Sequence, residues 1–382
     1  MPPQESKLPG VGTTIFTVMS RLAAETGAIN LGQGFPDFQP PARLRELVAL
    51  HLGAGHNQYA PMAGLPALCE AIAGQAARRH GWTIDAAQEV TVTAGATEAL
   101  FAAIHAIVRA GDEVIVLDPS YDSYGPAAQL AGAKLIRVPL ALPDFRIDFD
   151  RLAAAINART RLLIVNTPLN PAGAVLDADD WDRIAELLEP HGAFVLSDEV
   201  YEPLVYDGRR HAGVLSNARL RTRAFAVFSF GKTYNATGWK VGYCLAAPSL
   251  ATEFRKVHQF LTFSVSTPMQ YAIAEFIRET PDFADGLAPF YQERRDRFIS
   301  LLEGSRFALR SAAGTYFQLA DYSAVSDLPD VEFCELLARR HGVAAIPLSP
   351  FCDEPLRARL VRFCFAKDDL TLERAARKLR SA

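Results

Sequence analysis

Several scarcities bound what this 382-residue chain can be. Cysteine occurs five times (Cys69, Cys244, Cys334, Cys352, Cys364), an odd and scattered set without a C-x-x-C pair. That pattern excludes a disulfide framework and a structural zinc site, so no metal is expected and a reducing compartment fits. Long apolar runs are missing as well. The best candidate, residues 99–108, is broken by His105 and falls short of the roughly 18 residues that span a bilayer. Charge of one sign is absent too: 39 Lys and Arg face 43 Asp and Glu, for a net charge of -4. No basic field is available for nucleic acid or an anionic membrane. The opening MPPQESKLPG lacks the basic-then-apolar order of a secretory signal. These absences together predict a cytoplasmic protein with neither nucleic acid nor membrane as partner. Motif absences narrow the chemistry further. There is no P-loop, H-E-x-x-H or G-x-S-x-G, and Gly32-Gln33-Gly34 follows no convincing strand, so it is no dinucleotide fingerprint.

What is present is a large apolar fraction, 49%, in a chain longer than one core usually organises. Short runs of Val, Ile, Leu and Phe at residues 89–93, 113–117, 162–165, 194–196 and 224–228 alternate with amphipathic segments such as 181–188. Uniformly apolar strands suit a mainly parallel sheet covered by helices on both faces, hence an α/β fold. Five of these strands run into polar or turn residues: Thr93-Ala94-Gly95, Asp118-Pro119, Asn166-Thr167-Pro168, Ser197-Asp198 and Ser229-Phe230-Gly231. Ligands bind at the carboxyl ends of strands in such sheets, so one shared site is expected there. The texture changes near residue 285. The expected division is an N-terminal arm (1–45), a large domain (46–285) and a smaller α+β domain (286–382), with the arm beside the last. The charge run Glu293-Arg294-Arg295-Asp296-Arg297 reads as a solvated helix face.

The strongest local signal is Ser229-Phe230-Gly231-Lys232, followed by Gly238-Trp239-Lys240-Val241-Gly242. A lysine must lose its proton to attack an aldehyde, and burial beside other cations lowers its pKa enough to allow that. A single lysine is usually a solvated surface charge. Here the small and hydroxyl residues around Lys232, and the apolar ones beyond it, favour the chemical reading.

S-x-x-K followed by G-x-[RK]-x-G resembles the cofactor-binding segment of the class I and II aminotransferases, the fold-type I enzymes dependent on pyridoxal 5′-phosphate (PLP). Further blocks match the family in order: Asn57-Gln58-Tyr59, Gly95-Ala96-Thr97, Asp118-Pro119-Ser120-Tyr121, Asn166-Thr167-Pro168-Leu169-Asn170-Pro171, Ser197-Asp198-Glu199-Val200-Tyr201 and Leu360-Val361-Arg362-Phe363. The resemblance spans essentially the whole chain. It implies that Lys232 carries the cofactor as a Schiff base and moves the α-proton, and that Asp198 keeps the pyridine nitrogen protonated. Tyr201 and Asn170 would bond the phenolic oxygen, and Tyr121 would stack on the ring. Gly95, Ala96, Thr97, Ser229 and Lys240 would hold the phosphate, in part through a helix N-terminus. Lys240 departs from the arginine of many relatives and acts as a point charge rather than a bidentate grip.

Blander alternatives stand beside these roles: a helix N-cap for Asp198, a turn for Asn170, core packing for Tyr121 and a structural ion pair for Arg362. For Arg362 the family role is the substrate α-carboxylate, with Asn170, Gly34 and Phe16 nearby. Tyr59 is similar to the tyrosine that reaches the neighbouring subunit's phosphate, which implies a homodimer with shared sites. The stretches NQYAPMAG and SFGKTYNATGWKVGYC resemble the methionine and kynurenine aminotransferase branch. Position matching puts Phe16, Phe35, Phe263 and Val265 at the side-chain pocket, with no second arginine for a distal carboxylate. Transfer of the amino group of methionine or a large apolar or aromatic amino acid to a 2-oxo acid follows; kynurenine transamination or cysteine-S-conjugate β-elimination is the alternative.

Overall fold

The computed structural model describes residues 5–354 and 356–382. Seven segments form the main sheet: β1 (Val90–Thr93), β2 (Glu113–Asp118), β3 (Lys134–Pro139), β4 (Thr160–Asn166), β5 (Phe194–Asp198), β6 (Ala224–Ser229) and β7 (Gly242–Ala246). Their order is β1-β7-β6-β5-β4-β2-β3. The five strands β3, β2, β4, β5 and β6 run parallel. β7 is antiparallel to both β6 and β1.

The apolar runs form strands because both faces of this sheet are covered. Ile115, Leu117, Leu163 and Val165 join one buried cluster with the helices Pro66–His80, Ala178–Leu188 and Thr267–Glu279. Val114, Val116, Leu162 and Ile164 point the other way, onto the helices Ala96–Ile107 and Pro248–Leu261. The period of two thus divides each strand between two apolar cores. Two strands were not anticipated. β3 is an edge strand with mostly half-exposed residues, among them Lys134 and Arg137, so its polarity masks it. β7 lies inside the glycine-rich block Gly238–Gly242 and its apolar continuation, where the motif obscures the strand.

A second, antiparallel sheet is built from β8 (Ala308–Leu309), β9 (Phe317–Asp321), β10 (Ile346–Pro347) and β11 (Leu360–Cys364), in the order β10-β11-β9-β8. The helix Ile15–Thr26 shares its core through Met19 and Leu22. Ile29–Asn30 also pairs in parallel with Val343–Ala344. The N-terminal arm is therefore packed into the C-terminal unit. The helix Leu287–Leu301 corrects the reading of the charge run 293–297. Arg295 is buried, not solvated: its guanidinium pairs with Asp207 at 2.6 Å and Asp296 at 2.7 Å and donates to the Ala312 carbonyl. The helix faces Asp207 and the 312–314 turn, and a partnered arginine tolerates burial where a lone one would not.

The sheet register positions the site. Because β7 is reversed, its first residue, Gly242, pairs with Thr93 at the end of β1 on one side and with Ser229 at the end of β6 on the other. Asn166 pairs with Asp198 across the ends of β4 and β5. Among the described residues no helix is long and apolar enough to cross a membrane, and no His, Cys, Asp and Glu cluster suits a metal ion.

Candidate active site

One cavity of roughly 240 Å³ opens where these strand ends meet the second sheet. Its walls include Gly95, Ala96, Thr97, Tyr121, Asn170, Asp198, Tyr201, Ser229, Lys232 and Lys240 from the larger unit. Phe16 and Gly34 enter from the N-terminal arm, Phe317 and Arg362 from β9 and β11. The substrate residues Arg362, Asn170, Gly34 and Phe16 are here, and so is every residue assigned from the sequence to the cofactor except Tyr59. That ring is 83% exposed and lies edge-on to Phe263, centroids 5.4 Å apart. Of the other expected pocket residues only Phe16 lines this cavity; Phe35 and Phe263 are exposed and Val265 is buried elsewhere.

At one end, Gly95 has φ 78 and caps the start of the helix Ala96–Ile107. The positive φ suits glycine, and a Cβ there would stand 3.2 Å from the Lys240 ammonium. Gly242 is equally constrained, since a Cβ would fall 2.6 Å from the Phe228 carbonyl and 3.0 Å from the Ala96 nitrogen. The two glycines let the Lys240 side chain and the helix N-terminus converge with the Ser229 and Thr97 hydroxyls. Lys240 forms no ion pair among the described residues, in contrast to Lys134 and Lys256. Free amides, a helix dipole, hydroxyls and an uncommitted ammonium fit a phosphate ester.

Asp198 closes β5 and is buried. One carboxylate oxygen accepts from the Tyr124 hydroxyl at 2.7 Å and the other from the Val200 amide at 3.3 Å. Asp198 ends the strand and a turn, not a helix, follows it, so it is no helix N-cap. Burial raises its pKa to about 6 against the opposing pull of the Tyr124 hydrogen bond. A buried carboxylate without a cationic partner fits the protonated nitrogen of a pyridine ring.

Lys232 sits in the short helix Phe230–Thr233 after β6. Its Nζ donates to the Gly34 carbonyl at 3.2 Å and to the Tyr316 hydroxyl at 3.0 Å. Burial lowers its pKa to about 8; repulsion from Arg362 and Lys240 adds to this, while Cys364 and Asp198 oppose it. An appreciable fraction is therefore the neutral, nucleophilic amine near neutral pH.

Arg362 is wholly buried in β11. Its Nη1 donates to Asn170 Oδ1 at 2.7 Å and its Nη2 to the Gly32 carbonyl at 2.8 Å, while Nε is buried without a partner. The guanidinium stacks 3.9 Å over the Phe317 ring. No carboxylate pairs with it among the described residues, so the structural ion pair is not formed. Burial lowers its pKa. A buried guanidinium held only by neutral acceptors and facing a cavity is an anion site.

Three participants escaped the sequence reading. Tyr124 bonds Asp198, and Asn166 Nδ2 donates to the Asp198 carbonyl while its Oδ1 accepts from the Asn170 amide. Tyr316 bonds Lys232. Nothing in the run Gly314-Thr315-Tyr316-Phe317 shows what the hydroxyl faces.

Comparison with known proteins agrees with this chemistry. Residues 26–379 match the family model of aminotransferase class I and II. The methionine aminotransferase of Escherichia coli is 54% identical over 376 residues, covering 98% of this chain and 97% of that one. An Escherichia coli crystal structure reported with a methionine aminotransferase function superposes at TM-score 0.98, with 53% identity and all of both chains covered. A probable N-succinyldiaminopimelate aminotransferase of Mycobacterium tuberculosis is 40% identical, and mouse kynurenine–oxoglutarate transaminase 1 is 33% identical, each over 98% of this chain and 97% of its own length. The chain belongs to the class I and II aminotransferases and is a PLP-dependent transaminase.

Proposed function

We propose that this enzyme moves the amino group of methionine, or of another large apolar or aromatic amino acid, to a 2-oxo acid in a ping-pong cycle. The observation that carries the substrate reading is the composition of the cavity. Its cations are Lys232, Lys240 and Arg362, and each has a task before any side-chain charge arrives. The 54% identity to the Escherichia coli methionine aminotransferase supports the same reading.

Bound PLP supplies an electron sink for the carbanion that α-proton removal leaves. In this reading the protein's residues do the rest. Thr97, Ser229, Lys240 and the amides after Gly95 hold the phosphate, Tyr121 packs on the ring, and Tyr201 and Asn170 face the phenolic oxygen. Asp198 keeps the ring nitrogen protonated. Lys232 would hold the cofactor, and its amine, once free, would take and return the α-proton as general base and acid. Arg362 grips the α-carboxylate, which fixes the Cα–H bond toward that amine. Phe16 and Phe317 cover the guanidinium and exclude water.

Tyr59 supports a dimer. An aromatic ring 83% exposed, edge-on to Phe263 at 44%, gives an apolar patch that a second copy would cover. In this reading Tyr59 completes the partner's site. A Tyr59→Ala chain mixed with a Lys232→Ala chain then regains activity through hybrid dimers with one intact site. Confirmed subunit exchange without recovery would refute shared sites.

The Asp198 geometry sets a trade between stability and activity. Its folded pKa, about 6, lies above the ordinary 3.8, so the carboxyl binds a proton more tightly once folded. Apoprotein stability is accordingly full below pH 4, declines as pH rises through 6, and stays reduced above it, by roughly 3 kcal/mol. Asp198→Asn should leave the apoprotein melting temperature at pH 8 equal or higher, while turnover falls by orders of magnitude. A lower melting temperature with near-normal turnover would make Asp198 a purely structural residue.

Donor selectivity follows from the cavity. Burying an apolar side chain yields about 1.5–3 kcal/mol, while an acidic one enters desolvated and unpaired at a cost of several kcal/mol. Methionine and aromatic donors should exceed aspartate in kcat/KM by at least about a hundredfold, and Arg362→Ala should weaken all donors alike. Equal activity with aspartate would refute the apolar pocket and leave the family assignment standing.

A further inference from the structure

Tyr316 precedes β9 in a turn that leaves its ring little freedom. Thr315 adopts φ 65, its amide donates to the Leu204 carbonyl at 3.0 Å, and its own carbonyl accepts from the Tyr206 hydroxyl. The Tyr316 ring is fully buried, edge-on to Tyr201 at 5.1 Å and to Phe317 at 4.9 Å, with Tyr291 at 5.8 Å. A phenylalanine would fill this space equally well. The hydroxyl, however, faces the site: it lies 2.7 Å from the Gly34 carbonyl and 3.0 Å from Lys232 Nζ, and it also meets the Tyr201 hydroxyl. The neighbouring Tyr291 offers a contrast, because its hydroxyl bonds Asn235.

Proton counting fixes the direction of these bonds. A carbonyl can only accept, so the single hydroxyl proton of Tyr316 goes to Gly34, and the oxygen turns a lone pair to Lys232. The Gly34 carbonyl, 3.2 Å from Nζ, is a second acceptor. A neutral amine that gives both N–H groups to these two oxygens directs its lone pair away from them. The glycine permits this approach: a Cβ at Gly34 would lie 3.1 Å from the Phe317 ring and 3.9 Å from Arg362 Nη2. The two acceptors therefore lie on the side where Arg362 would hold a carboxylate.

We propose that Tyr316 is a positioning residue for the reacting lysine: with the Gly34 carbonyl it forms a dock that holds the unbonded Lys232 amine near Arg362 and turns its lone pair away from the two docking oxygens. The inference rests on the reading of Lys232 as the reacting amine. The dock leaves the chemistry to Lys232 and fixes where that amine waits between proton transfers, which is a matter of orientation. It also favours the ammonium form, since both docking oxygens accept. The other ionisable groups around Lys232 are Cys364 and Arg362 on β11, Asp198 and Tyr201 at the end of β5, and Lys240. Tyr316→Phe removes none of these groups; it takes one acceptor from Lys232 and a hydrogen-bond partner from Tyr201.

The test is acylation of the apoprotein by an amine-selective reagent across pH, with the Lys232 peptide quantified by mass spectrometry. In the native protein the midpoint should lie near pH 8. In Tyr316→Phe it should move to lower pH by about half a unit or more, because loss of an acceptor disfavours the charged form. The loaded variant should lose about tenfold in kcat, with the donor KM within about twofold. An unchanged midpoint in a folded Tyr316→Phe protein would overturn the dock. Should that variant fail to fold, Tyr316→Met fills the space without a hydroxyl and must shift the midpoint the same way. A native midpoint near that of an exposed lysine would instead overturn the reading of Lys232, and the dock with it.

Discussion

The constraint on which this structure turns is the burial of charge without a counter-ion. Lys232, Asp198 and Arg362 face one cavity, and none of them has an ion-pair partner among the described residues. Elsewhere most buried charges are paired; Lys367, which meets only the Phe35 carbonyl, is an exception. Glu202 is buried with Arg79 at 2.7 Å and His80 at 2.8 Å and is held near pKa 2, and Arg295 is buried with Asp207. The cavity gathers three unpaired groups, and an unpaired buried charge costs stability until a ligand supplies its complement. An anionic ester, a protonated ring nitrogen and a carboxylate are the complements this set lacks, and a PLP enzyme with an amino-acid substrate brings all three.

The fold bears that cost through two apolar cores flanking the main sheet and a third in the second unit. It concentrates the unpaired groups where strands end. The reversal of β7 has a particular consequence: it brings Lys240 and Gly242 to the same end as Ser229 and Thr93, although β7 runs the other way. Arg362 and Gly34 arrive from the second unit, so the two units share the site. Asn170 links the two units there: its backbone amide is tied to Asn166 beside Asp198 and its side chain to Arg362.

Much of this was legible in the chain itself. Apolar runs ending in Asn166, Asp198 and Ser229 mark strands whose ends carry chemistry, and the S-x-x-K run isolates Lys232 from the other lysines. What was not legible depends on contacts distant in sequence. Tyr124 and Tyr316 look like any core aromatic until their hydroxyls are seen to face Asp198, 74 residues away, and Lys232, 84 residues away. Arg295 looked solvated because its partner, Asp207, is 88 residues distant. β3 was hidden by the half-exposed polar residues an edge strand can carry. Direction was hidden as well: β1 is buried along its whole length, as parallel strands are, yet it pairs antiparallel with β7. Burial on both faces reports covering helices, not strand direction.

Lys232, and not Lys240 eight residues further on, is the amine assigned here to the cofactor. Reduction of the loaded enzyme with borohydride makes the lysine–cofactor bond permanent, and peptide mass spectrometry then reads its position. The account predicts the cofactor mass on the peptide containing Lys232 and on no other lysine. Its appearance on Lys240, or on a lysine outside the cavity, would contradict the account at its base.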